Sequence, residues 1–302
     1  MHTVLPVTQN WATRGGVFFG QDDTNTTLAD CTATFNQAAN GAVSYLLGDI
    51  TANGRPFFLV DSSVFSGNSA QFGGVTYGAV STFSTLDDCQ FFNNSVTASG
   101  GVAYYSGQST VAMGECQAWN NVAAFDGGII YGSDGSKVSI WRSTFNSSHA
   151  KRGGAFFGTD EAWFRITSSS ITLNRGTMGG AIHLDGVPYA TINSQMNITM
   201  SVLSDNDAIE NGVGGAAYIS GTCLLRLSQC NASHNTAHFG GVVYSRDDGL
   251  VRRSQSLSLS RWGAPYAGLT CVFLCVSPCL SYSSRQFWMT PPRHSTLPRK
   301  AV

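Results

Sequence analysis

Charged residues are scarce in this sequence: Asp, Glu, Lys and Arg make up 12% of its 302 residues. Hydrophobic residues make up 42%, and a chain this apolar is not intrinsically disordered. Only 8 prolines stand against 34 glycines, and no long stretch has apolar residues at the 3.6-residue spacing of an amphipathic helix. The apolar residues fall instead in short β-branched or aromatic runs bounded by Gly, Asn, Asp or Ser, which predict an all-β protein.

The charge is unevenly distributed. Residues 1–249 hold all 18 acidic residues and 10 of the 17 basic ones, a net charge of −8, whereas residues 250–302 carry +7. A body this acidic excludes nucleic acid as the expected partner. The opening residues, MHTVLPVTQN, have neither the basic start nor the apolar run of a signal peptide.

A pair of glycines recurs along the chain. The first glycines of the pairs are Gly15, Gly73, Gly100, Gly127, Gly153, Gly179, Gly214 and Gly240, and Gly41 followed by Ala42 fills the first gap. Successive spacings are 26, 32, 27, 27, 26, 26, 35 and 26 residues, which indicates a unit of 26–27 residues with two insertions. A fixed period in this range is typical of a solenoid, and it is too short for a propeller blade of about 40 residues.

Each unit contains two short strands. One follows the glycine pair, and the other precedes it by about ten residues and contains an apolar residue followed three positions later by Asn, as in Phe65–Asn68 and Phe91–Asn94. Such a unit is one coil of a parallel β-helix, in which strands of successive coils pair about 4.8 Å apart and equivalent residues form columns. One column is predicted to be an amide ladder of Asn10, Asn36, Asn68, Asn94, Asn174 and Asn235. The glycines suit turns with a positive φ or a close backbone approach.

The two motifs also carry a family resemblance. Gly-Gly-Ala-Ile at 179–182, together with the Phe-x-x-Asn element, resembles the repeat of the chlamydial polymorphic outer membrane proteins, within the wider pectin-lyase-like right-handed β-helices. The resemblance covers roughly residues 7–248, although the Phe-x-x-Asn spacing is degraded in AWNNVAAFDGG and no autotransporter barrel follows the repeats. It implies an extracellular or cell-surface, adhesin-like and non-catalytic chain, with a carbohydrate or a cell-surface protein as partner. We therefore predict an all-β, right-handed parallel β-helix of about nine coils over residues 1–249.

Both ends depart from the repeat. Val7, Asn10 and Gly15 align with equivalent positions of later coils, so Met1 falls inside a coil and we expect a leader and earlier coils to be missing. Residues 250–302 are interpreted as a disordered tail, with a membrane segment at 262–284 or an artefact of the gene model as alternatives.

Two sets of residues are candidates for specific chemistry. Asp134, Asp160 and Asp185 follow the glycine pairs of three consecutive coils, where they form either a calcium site or turn caps. Cys89 and Cys116 are 27 residues apart, one coil, and form either a disulfide or a pair of stacked thiols. Cys223 and Cys230 form a second possible pair near one strand.

Catalysis has weaker support in the sequence. The chain lacks the GHG, NTD and RIK motifs of polygalacturonases, and His183, His234 and His238 have no matched acid–base partner in the sequence. A carbohydrate-active β-helix enzyme is the alternative to the adhesive protein, because many β-helices cleave polysaccharides with clustered aspartates. Insertions near residues 49–58 and 191–200 enlarge single coils and are expected to carry binding loops.

Overall fold

The computed structural model describes residues 5–49, 55–186, 193–247, 249–254 and 258–259. These residues form 35 β-strands and no helix, and all the strand pairs are parallel. The strands stack as a β-solenoid of about nine turns, which confirms the all-β, parallel β-helix prediction. In each coil the chain passes through four strand positions, called sheets 1 to 4 in the order that they follow the glycine pair.

Sheets 1 and 2 each have nine strands. Sheet 1 consists of Phe18–Gln21, Ser44–Leu47, Thr76–Ala79, Ala103–Tyr105, Ile130–Gly132, Phe156–Gly158, Ile182–Leu184, Ala217–Ile219 and Val243–Ser245. Sheet 2 consists of Asn25–Ala29, Phe57–Asp61, Phe83–Asp87, Thr110–Gly114, Lys137–Trp141, Trp163–Thr167, Gln195–Thr199, Leu224–Ser228 and Leu250–Ser254.

Sheet 3 is the longest and sheet 4 is divided. Sheet 3 consists of Leu5–Thr8, Cys31–Thr34, Val64–Ser66, Gln90–Phe92, Gln117–Trp119, Thr144–Asn146, Ser170–Thr172, Val202–Ser204, Asn231–Ser233 and Ser258–Leu259. Sheet 4 has a five-stranded part, Trp11–Arg14, Gln37–Asn40, Ser69–Phe72, Ser95–Ser99 and Val122–Ala123, and a two-stranded part, Arg175–Met178 and Asp207–Val213.

Strand register turns the sequence alternation into core columns. In sheet 2, Leu86 is in register with Val60 on one side and Met113 on the other, and Met113 is in register with Ile140. All four side chains are buried, and burial of each contributes about 1.5–3 kcal/mol relative to exposure. The second and fourth residues of these strands belong to core columns, and the residues between them face outward and belong to surface columns.

The two glycines of a pair are needed for different reasons. Gly100 has a φ of 73°, a left-handed backbone that side chains rarely adopt. At Gly101 an added Cβ would overlap the carbonyl oxygen of Gly128, the equivalent residue one coil further along. The first glycine therefore makes the turn, and the second lets the turns stack closely.

The repeat continues past the predicted end at Gly249. Leu250–Ser254 pairs in register with Leu224–Ser228, and Ser258–Leu259 pairs with Asn231 and Ala232, because the strand alternation persists where the Asn and Gly signals have stopped. Gln195–Thr199, assigned from the sequence to an insertion, is a regular strand of sheet 2. The candidate membrane segment 262–284 lies outside the described residues, and among the described ones no helix has the length and hydropathy to span a bilayer.

Candidate functional site: a polar groove beside the asparagine column

The turn from sheet 3 to sheet 4 is built on a column of buried amides. Asn68 is typical: its Oδ1 accepts hydrogen bonds from the backbone N–H and the Nδ2 of Asn36, each at 3.0 Å. Its Nδ2 donates to the Ala33 carbonyl at 2.9 Å and to Asn94 Oδ1 at 3.0 Å. Each amide thus satisfies the one before it and the one after it, so burial leaves no polar atom of Asn68 unpaired.

The column contains more asparagines than the sequence motif identifies. Its members are Asn10, Asn36, Asn68, Asn94 and Asn121 in one run and Asn174, Asn206 and Asn235 in another. Ser148 separates the runs: its Oγ accepts the Asn121 N–H at 3.3 Å, and its own N–H donates to Asn174 Oδ1 at 3.1 Å. A serine preserves the backbone contacts of the column but not the bond between side-chain amides.

The residue before each column position makes the corner. These residues all have a left-handed backbone, with φ between 52° and 63°: Gln9, Phe35, Gly67, Asn93, Asn120, Ser147, Leu173, Asp205 and His234. At this corner side chains are exposed to solvent, as shown by Leu173, whose exposed fraction is 54%. All members of this column except Ser147 directly precede an amide of the ladder, but the residue types vary too much to form a sequence motif.

Five consecutive corner residues form one wall of a groove of about 490 Å³. The groove is lined by Asn120, Ser147, Leu173, Asp205 and His234 from the corner and by Arg175, Asp207 and Thr236 from the start of sheet 4. His234 Nδ1 lies 3.8 Å from Asp205 Oδ1, and Thr236 Oγ1 donates to Asp207 Oδ1 at 2.5 Å. The groove thus presents a cationic donor, Arg175, and two anionic acceptors, Asp205 and Asp207, around one apolar side chain, Leu173.

Two of the three aspartates considered for calcium accept hydrogen bonds from serine side chains. Asp134 accepts a hydrogen bond from Ser133 Oγ at 3.0 Å, whereas Asp185 accepts one from Ser220 Oγ at 2.6 Å. Asp134 and Asp160 have left-handed backbones, with φ of 50° and 47°, which fits the turn-capping alternative. In the part of the chain that the structure describes, no group of three His, Cys, Asp or Glu side chains is placed to hold a metal ion.

Four of the five described cysteines are buried thiols, and Cys31 is half-buried. Cys89 Sγ donates to the Asp87 carbonyl at 3.0 Å and Cys116 Sγ to the Leu86 carbonyl at 3.4 Å, and neither is in a disulfide. The pKa of the Cys116 thiol is raised chiefly by a hydrogen bond with Cys89 and, to a lesser extent, by burial. Serines take the same column position in other coils and accept backbone N–H groups there, as Ser143 Oγ does from Cys116. Cys223 and Cys230, also buried, are likewise free thiols.

The outer face of sheet 1 carries a second column, of aromatic rings. It consists of Phe19, Tyr45, Tyr77, Tyr104, Tyr131, Phe157, His183, Tyr218 and Tyr244, with neighbouring centroids 4.5–5.6 Å apart. Both faces of each ring inside the column are covered by rings of the adjacent coils. These faces are therefore not available for stacking against a sugar, and the column stabilises the solenoid instead.

His183 is the one imidazole in that column and lies in a charged cluster. Arg152 donates two hydrogen bonds to the Asp126 carboxylate, from Nε at 2.5 Å and from Nη2 at 2.9 Å. Its Nη1 lies 3.5 Å from Asp185 Oδ2, and its guanidinium group lies over the Phe157 ring. His183 is 2% exposed, its Nδ1 lies 3.3 Å from the Met178 carbonyl, and its buried Nε2 has no partner among the described residues. Burial lowers the pKa of His183 to about 4, so the ring is neutral near pH 7.

The chain matches no family model, no curated protein sequence and no solved structure. The functional argument therefore rests on the parallel β-solenoid and on the surfaces that its columns of side chains form.

Proposed function

We propose that the chain is a non-catalytic β-solenoid of the cell surface or the extracellular space, with a structural or adhesive role like that implied by the polymorphic outer membrane protein repeat. The observation that carries this proposal is the amide column, in which bonds of about 3.0 Å join successive coils, as between Asn36 and Asn68 and between Asn68 and Asn94. Coils joined in this way form a stiff rod whose outward residues keep fixed positions. A stiff rod suits a stalk that holds binding surfaces away from a cell.

The groove supports the adhesive part of the proposal. It is shallow, crosses five coils and combines Arg175, Asp207 and Thr236 with the apolar Leu173. Hydroxyl-rich carbohydrate chains and polar loops of surface proteins both match such a mixture of donors, acceptors and a single apolar contact. The partner is therefore a carbohydrate or a cell-surface protein.

Surface labelling and adhesion test the proposal together. Antibodies to the chain should label intact cells that produce it, and beads coated with the purified chain should bind host or neighbouring cells. Leu173→Lys should reduce bead binding, because it places a flexible cation in the groove, whereas Gln9→Lys makes the same type of change at the equivalent corner outside the groove and should not. Labelling only after permeabilisation, together with absent bead binding, would refute the proposal.

An enzymatic role has one observation in its favour, the two carboxylates of Asp205 and Asp207 in the same groove. Glycoside hydrolases act through such a pair. Incubating the chain with a panel of neutral and acidic polysaccharides should release no new reducing ends or unsaturated products. Release that is lost in both Asp205→Asn and Asp207→Asn would replace the adhesive proposal with the enzymatic one.

A further inference from the structure

Cations are concentrated on the outer face of sheet 2, in its last five strands. In the first four of these strands the second and fourth residues are buried, and in the fifth strand Val251 is partly buried, so the first, third and fifth residues face outward. The outward residues include four exposed cations, Lys137, Arg165, Arg226 and Arg252, and no acidic residue. We call this surface, from Lys137–Trp141 to Leu250–Ser254, the basic face.

The cations of the basic face are aligned by strand register. Arg165 is opposite Asn197, Asn197 is opposite Arg226, and Arg226 is opposite Arg252. Like charges directly opposite each other on neighbouring strands destabilise a sheet. Arg226 and Arg252 form one such pair and therefore cost stability, whereas Asn197 separates Arg165 from Arg226. No acidic residue lies among the outward positions to neutralise the pair, although residues 1–249 carry a net charge of −8.

The basic face also holds unsatisfied hydrogen-bonding capacity. Among the residues that the structure describes, none of its four cations makes an ion pair, and Asn197 Oδ1 is buried without a hydrogen-bond partner. Trp163 stands beside Arg165 on the outward side of one strand, and no described aromatic ring stacks on it. Unpaired guanidinium groups beside an outward indole are groups that contact sugars bearing acidic substituents.

We propose that the basic face binds a linear polyanionic glycan lying along the solenoid axis. Strands repeat about every 4.8 Å along this axis, so the arginines present a periodic charge to a chain that carries repeated carboxylate or sulfate groups. Arginine can bind either group through two parallel N–H bonds. This assignment rests on the proposed surface role, since it names the class of partner, but it places the binding on sheet 2 and not in the groove.

A glycan fits this surface better than nucleic acid or a membrane. Duplex DNA approaching the basic face would also meet the field of a body with a net charge of −8, and binding by phosphate contacts needs a broader basic surface. An anionic membrane is engaged by clusters of basic residues combined with apolar side chains that enter the bilayer. The outward apolar residues of the basic face include Trp163, Leu224 and Leu250. Its cations are also interspersed with Ser139, Thr167, Gln195 and Thr199, which are partners for sugar hydroxyls.

Calorimetric titration of the full chain with a heparin-derived oligosaccharide and with an oligogalacturonate tests the proposal and separates sulfate from carboxylate recognition. We expect binding to at least one of them that weakens as salt rises, and a loss of about tenfold or more in affinity for the Arg165→Gln, Arg226→Gln double variant. The control is the Arg142→Gln, Arg246→Gln double variant, which removes the same charge from exposed arginines outside the basic face and should lose about twofold or less.

Three outcomes would overturn the proposal: no binding of either oligosaccharide, equal losses in the two double variants, or tighter binding to a DNA duplex or to phosphatidylserine vesicles than to both glycans. Circular dichroism of each variant establishes that the fold is retained. Bead adhesion measured on the same variants separates the two proposals. Adhesion without glycan binding would remove the basic face as the site and leave the proposed surface role in place.

Discussion

Replacing His183 with phenylalanine should remove a large part of the acid sensitivity of the solenoid. The His183 ring lies between Phe157 and Tyr218, with centroids at 5.1 and 4.6 Å, in a column whose other members are all Phe or Tyr. Phenylalanine therefore fits the site, and it removes the titrating group together with the 3.3 Å contact between Nδ1 and the Met178 carbonyl. Arg152, Asp126 and Asp185, the charged side chains around the ring, stay in place.

The size of the effect follows from the pKa values. The folded chain binds a proton at His183 only near pH 4, because the ring is buried, whereas the unfolded chain binds it near 6.5. A base whose pKa is lowered on folding contributes stability above its unfolded pKa, and this is lost as the pH falls toward the folded pKa. Linkage gives a loss of about 2 kcal/mol between about pH 7.5 and pH 5 from this one group.

Urea unfolding followed by far-UV circular dichroism at both pH values measures the loss. The wild type should lose about 2 kcal/mol more than His183→Phe on acidification. Tyr218→Phe is the matched control, because it changes the adjacent ring without removing a group that titrates in this range, and it should behave as the wild type. Equal losses in wild type and His183→Phe, or a proton NMR titration of His183 with a midpoint near 6.5, would refute the buried neutral imidazole.

Three further predictions concern the columns. Ser148→Asn should join the two runs of the amide column through two new hydrogen bonds between side-chain amides. The free energy of unfolding measured in urea should rise by about 1–2 kcal/mol, and a decrease would mean that the site cannot hold an amide. Gly101→Ala should abolish folding or destabilise it by more than about 3 kcal/mol, because its Cβ overlaps the next coil. Gly135→Ala places its Cβ at an ordinary contact distance of 3.6 Å from the Gln108 side chain and should cost about 1–2 kcal/mol for its left-handed φ, so similar thermal midpoints for the two variants would contradict the stacking role. Iodoacetamide should modify the half-buried Cys31 in the folded chain and reach Cys116 only after unfolding, because burial and the hydrogen bond with Cys89 keep Cys116 a protonated thiol. Peptide mass spectrometry at early times measures the order, and modification of Cys116 before Cys31 would contradict the prediction.

The coil was predictable because its constraints repeat. Gly100 and Gly101 recur at a fixed period, since every coil needs the same positive φ and the same close approach. The amide column was partly predictable for the same reason. Asn121 is missed by the Phe-x-x-Asn motif because Ala118 stands at the Phe position. The Nδ2 of Asn121 still donates to the Phe91 carbonyl at 2.9 Å.

The groove and the charged cluster were not predictable in this way. Asp205 and His234 belong to a corner column whose residue types change from coil to coil, so no motif indicates that they line one groove. Asp185 is the opposite case: its spacing predicts a position beside Asp134 and Asp160, but its carboxylate turns to Ser220 and Arg152, which come from other coils. Spacing determines which residues share a column, whereas side-chain direction depends on neighbours that the period does not specify.

Stacking at the strand spacing gives a physical criterion for separating structural columns from functional ones. An amide bonds to the same amide one coil away and a tyrosine ring stacks on the same ring, so the columns that contain Asn68 and Tyr104 gain stability from repetition. A guanidinium group repels another one directly opposite, so the facing pair Arg226 and Arg252 loses stability from repetition. Because this pair is unfavourable for the fold, it supports the proposal that the basic face binds a polyanion.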